Sequence, residues 1–110
     1  MKATLYTLIA AVLFGFPTLA RAEQWTGYTK ITRLYPVSEN EFLFNTEYAN
    51  SNLSTCEGGT RFRVGGDHPN YETMVRSLQA TFLTGKSVTL HVKYDIGSCA
   101  ATIDRFTVKR

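Results

Sequence analysis

Only two cysteines and two histidines occur in this chain of 110 residues, and that scarcity narrows its chemistry. Cys56 and Cys99 combined with His68 or His91 match no recognised zinc-ligand spacing, so a metal centre is not expected. No serine stands in a nucleophile-elbow context. Asp67, Asp95 and Asp104 lack the ligand spacing of a calcium loop. Thr84-Gly85-Lys86-Ser87 has the look of a phosphate loop, yet it comes after a helical pattern instead of preceding one and lacks the earlier glycine. His68, His91 and Lys93 are residue types that a small ribonuclease uses. Their positions are ordinary, however. His68 stands between Asp67 and Pro69 in a turn leading to a helix, and His91 falls on the outward, solvated side of a strand between Thr89 and Lys93. No catalytic residue, metal or cofactor is therefore expected.

Long apolar runs are equally sparse. Residues 5–13 are apolar apart from Thr7, with Lys2 ahead of them and Pro17 and Ala20-Arg21-Ala22 behind. This is the layout of a secretory signal peptide, residues 1–22, and the run is shorter than the ~20 residues a membrane-spanning helix needs. The expected product is one domain, residues 23–110, secreted or periplasmic, with no integral membrane span. Lys2 and Arg21 leave with the leader, so 12 basic and 9 acidic residues become ten against nine, a net charge of +1. Along the sequence only Arg61, Arg63 and Lys109-Arg110 cluster, which is poor for neutralising a phosphate backbone. Nucleic acid is not an expected partner. In an oxidising compartment the even pair Cys56 and Cys99 is expected to form a disulfide, closing a long loop worth roughly 4 kcal/mol to so small a domain.

What remains is rich in β propensity, and the chain carries no internal repeat or low-complexity linker. Residues 25–37 read as a first strand, with Gly27 as a bulge. Phe42, Phe44, Thr46 and Tyr48 alternate on one face of a second strand, and Phe62 and Val64 face inward on a short third. Tyr71, Met74, Val75, Leu78 and Phe82 draw one stripe of a helix that Asn70 caps and Gly85 stops. Val88, Leu90, Val92 and Tyr94 point inward from a fourth strand. A fifth runs over residues 101–108, its apolar phase shifting near Asp104-Arg105, where a bulge is expected. The fold class is thus mainly β with one helix, β-β-β-α-β-β, the order of an OB-fold-like small Greek-key barrel, an architecture suited to oligonucleotides and oligosaccharides. The phenylalanines and inward tyrosines serve the core. Trp25 and Tyr28 are the candidate ligand-binding residues, able to stack on a sugar or fill a partner's pocket; packing in the core or at a sheet edge is the alternative.

Trp25-Thr26-Gly27, the two cysteines, and Phe82-Leu83-Thr84-Gly85-Lys86-Ser87-Val88 carry a resemblance over most of residues 23–110. In these features the chain resembles the B subunit of subtilase cytotoxin, the small subunits of pertussis-type toxins and related small secreted bacterial proteins. The resemblance implies an OB-fold, a ring of five identical chains and recognition of a glycan or protein partner without catalysis. One difference stands out: the strand continues almost directly through Tyr28, Thr29, Lys30 and Ile31, where the toxin subunit has a loop that forms part of its sugar site. The rival expectation is a monomeric periplasmic OB-fold protein that binds a small ligand or inhibits an enzyme.

Overall fold

The computed structural model describes residues 23–38 and 40–110; the expected signal segment, residues 1–22, and Glu39 of the expected turn lie outside the described residues. The strands are β1 (Gln24–Trp25), β2 (Thr29–Ser38), β3 (Glu41–Thr46), β4 (Arg61–Gly65), β5 (Ser87–Tyr94) and β6 (Ala101–Lys109). One helix, α1 (Tyr71–Thr84), joins β4 to β5. Hydrogen bonds run in the order β1-β5-β2-β3-β4-β6, and β6 pairs again with β5. Strands β2 to β6 therefore form a closed ring, with β1 added along β5. Every pairing is antiparallel except that of β4 with β6. Closure leaves few free sheet edges, which is how small β proteins avoid pairing with one another.

Two-residue alternation fills the ring. Phe44, Phe62, Val64, Val88, Leu90, Val92, Ala101 and Ile103 are fully buried. Each of the larger side chains contributes about 1.5–3 kcal/mol by leaving water. Met74 and Leu78 bring the stripe of α1 into the same core, with Tyr71, Val75 and Phe82 half-buried beside them. Gly85 closes α1 in the left-handed conformation, φ 66°, which costs a residue without Cβ nothing. At the other end Asn70 occupies the cap position, but its side chain makes no capping bond. Its backbone N–H donates instead to Nδ1 of His68, at 2.9 Å.

Two expectations need correction. The first strand is not continuous, because residues 26–28 separate β1 from β2. Thr26 is the cause. Its Oγ1 accepts from the Leu90 N–H at 3.0 Å, and its carbonyl accepts from the Thr89 hydroxyl at 2.6 Å. Side-chain bonds thus replace a regular ladder at this point, and the sheet has six strands instead of five. Tyr94 does not point inward; it is 51 % exposed. The pairing of β5 with β6 slips between Val92 and Tyr94, and an extra residue reverses the face of the residues beyond it. A second slip, between His91 and Val92, leaves Asp104 as the unpaired residue, which is the bulge expected from the phase shift.

Cys56 and Cys99 are joined, S–S 2.07 Å. Around the bridge, Thr55 N–H donates to Ser98 O at 2.8 Å, Cys56 N–H to Cys99 O at 3.1 Å and Gly97 N–H to Leu53 O at 2.7 Å. Residues 95–100 are thereby stapled to residues 53–56. Among the described residues no helix is long and apolar enough to cross a membrane.

Candidate functional site

The two slips in β5 and β6 shape the end of the ring where Tyr94, Asp95 and Thr102 emerge. A cleft of about 560 Å³ opens there, lined by Arg63, Asp67, His68, Tyr94, Asp95 and Thr102 among others. Arg63 organises it. Its Nη1 donates to Asp95 Oδ2 and to Thr102 Oγ1, both at 3.1 Å, and its Nε lies 3.2 Å from Glu41 Oε1. The Thr102 hydroxyl in turn donates to Asp95 Oδ2 at 2.7 Å. One carboxylate oxygen is thus held by two donors. Asp95 adopts φ 55°, a left-handed conformation that aspartate tolerates better than most residues. Its carbonyl is fixed there by the backbone N–H and hydroxyl of Ser98, at 3.0 and 2.6 Å.

Opposite, Gly65 and Gly66 turn the chain toward Asp67 and His68. A Cβ on Gly66 would sit 2.4 Å from the Asn40 carbonyl oxygen, so only glycine lets the loop pass β3 so closely. His68 Nε2 donates to the Asp104 carbonyl at 2.8 Å while Nδ1 accepts from Asn70. Both ring nitrogens are engaged, which makes the ring the neutral Nε2–H tautomer.

Asp104 also binds the second histidine, through a hydrogen bond from His91 Nδ1 to its carboxylate. Contrary to the expectation of a solvated face, His91 is only 4 % exposed. It does point outward, but the Trp25 ring lies over it, centroids 4.9 Å apart, and Arg105 spans the same spot 5.5 Å above Trp25. Its Nε2 is 4.0 Å from Glu23 Oε1. Burial pushes the Asp104 carboxyl up, but the His91 hydrogen bond and the charges of His91 and Arg105 outweigh it. The carboxyl is held below its ordinary range.

The balance of charge tells what the cleft can bind. Asp67 and Asp95 line it, and the one guanidinium is already shared between Asp95 and Glu41. The cleft is rich in acceptors and has an exposed aromatic wall in Tyr94. Hydroxyl groups on a flat-faced ligand match both features.

Trp25 and Tyr28 line no part of the cleft. Both lie on the outer face of the ring, 43 % and 57 % exposed. Each sits under a cation from β6: Arg105 over Trp25 at 5.5 Å and Lys109 over Tyr28 at 4.4 Å. Arg63, Tyr94, Asp95 and Thr102 carried no mark in the sequence as site residues. Asp104 was marked only as the place of a bulge, through the phase shift of its strand. Among the described residues no group of three or more His, Cys, Asp or Glu side chains is arranged to hold a metal ion. No protein-family model and no curated protein matches the chain, so a function is assigned to it by the chemistry of these residues.

Proposed function

We propose that the protein is an exported, non-catalytic binding module of the OB-fold type that recognises glycans in the cleft at the Tyr94 end of β5. The observation that carries this reading is the pairing of an exposed tyrosine with an acceptor-rich wall whose carboxylate, Asp95, is already oriented by Arg63 and Thr102. A ring of five strands closed by one parallel pairing, with the helix ahead of the fourth of them, supports the OB-fold. The histidines support a role without catalysis, since His68 has both nitrogens engaged and His91 lies under Trp25. The leader-like residues 1–22 support export to the periplasm or the medium. Five copies in a ring, as the resemblance to toxin B subunits implies, would turn a weak sugar contact into useful avidity.

A glycan array probed with the protein, with calorimetry on any hit, tests the proposal. Tyr94→Ala and Asp67→Asn are expected to weaken binding at least tenfold, whereas Arg76→Gln on α1 leaves it unchanged. A hit insensitive to both cleft variants would reject the cleft as the site. The cleft volume also lies within the range of small-molecule pockets, which favours the monomeric small-ligand protein as second reading. Native mass spectrometry separates the two: a five-fold assembly supports the glycan module, a single chain the small-ligand protein.

A further inference from the structure

The opposite end of β5 has a different character. Lys30 of β2 and Lys109 of β6 both pair with Ser87, one from each side. Directly opposed residues share a face, and the strand spacing puts these two lysines about 10 Å apart. That face is the outer one, because Thr29 and Ile31 on β2 and Val88 on β5 point into the ring. Lys86 precedes Ser87 and Arg110 comes after Lys109, so four cations from three distant parts of the sequence meet at one corner. Among the described residues, none of the four makes an ion pair. Lys109 stands over Tyr28. Glu47, joined to Lys30 by a backbone bond, makes no ion pair with it.

This gathering changes the meaning of the net charge. Residues 23–110 carry +1 in all; with Glu47 counted beside Lys30 the corner carries +3, which leaves −2 on the remainder of the domain. Tyr28 and Trp25, both exposed, continue the face alongside β5. Unpaired lysines beside exposed tyrosine and tryptophan are the composition of a surface that lies on a bilayer: the cations meet anionic headgroups and the rings settle at their depth. A soluble polyanion would use the cations but would gain little from the flanking rings.

We propose that this corner, with Tyr28 and Trp25, docks the protein on an anionic phospholipid surface. The contact is electrostatic first and weakens with salt; the lysines stand about 23 Å from the cleft along β5, and Trp25, which pairs with His91, is the part of the face nearest to it.

Trp25 is the single tryptophan of the chain, so its fluorescence reports on this face alone. The chain and its Lys30→Gln/Lys109→Gln double variant are mixed with vesicles of phosphatidylcholine, with or without phosphatidylglycerol. Any contribution of residues 1–22 is common to both proteins. The expected result is co-sedimentation with phosphatidylglycerol vesicles, a blue shift of Trp25 emission, and roughly 30-fold weaker partition for the double variant. Arg76→Gln leaves the partition unchanged. Equal partition of wild type and double variant overturns the proposal, as does binding without a Trp25 shift. Binding to heparin with none to either vesicle would replace the membrane with a soluble polyanion and overturn it too.

Discussion

The two ends of β5 are built from similar amounts of charge used in opposite ways. At the Tyr94 end, Arg63 is tied to Glu41, Asp95 and Thr102, and the disulfide staples the neighbouring loop. At the Ser87 end, Lys30, Lys86, Lys109 and Arg110 make no ion pair among the described residues, Glu47 included. Paired charges give position: the planar guanidinium with its fixed fork of donors aims a carboxylate into a cleft. Unpaired charges give field, since a flexible ammonium aims at nothing in particular and still attracts an anionic surface over a Debye length of about 8–10 Å. On the two proposals made above, one end recognises a shape and the other a sign of charge.

The contrast can be broken most severely at the staple. Replacing both cysteines with serine should lower the unfolding free energy by about 4 kcal/mol in urea titration. Hydrogen exchange should quicken in residues 53–56 and 95–101, while residues 29–31, 86–89 and 107–109 keep their protection. Uniform quickening would mean that the two ends unfold as one. Arg63→Met comes next. It removes a cation whose side chain is 26 % exposed and leaves the more exposed Glu41 and Asp95 without it, which should cost about 1–2 kcal/mol, with loss of any cleft ligand.

Asp104→Asn should cost about 1–2 kcal/mol at pH 7, and the pH dependence carries the sharper test. The native carboxyl is held below its ordinary value. Its stabilisation is therefore complete above the unfolded value near 4 and fades as pH falls through the lower native value. The gap between wild type and variant, measured as urea midpoints, should close as pH falls below the unfolded carboxyl value. A gap that widened in acid would contradict this assignment. The smallest effect belongs to the cation corner: Lys30→Gln with Lys109→Gln should shift stability by less than about 0.5 kcal/mol. A larger loss would show that these lysines serve the fold.

Much of the architecture was legible in the residues themselves. The alternation of Val88, Leu90 and Val92, the α1 stripe ending at Gly85, the cysteine pair and the bulge at Asp104 are local or arithmetic signals, because side-chain period and turn chemistry act over a few residues. The break at residues 26–28 was hidden, since Thr26 bonds to Leu90, a partner remote in sequence. So was the outward turn of Tyr94, which depends on its register against β6. The basic corner was half hidden for the same reason. Along the sequence Arg61, Arg63 and Lys109-Arg110 clustered, yet the fold gives the first two acids to bind and gathers Lys30 and Lys86, far off in sequence, beside the last pair. Pattern along a chain determines which faces are apolar and where elements begin and end. Which charges meet, and which are left without a partner, is decided by strand order, because only ring closure brings β2 and β6 to the two sides of Ser87.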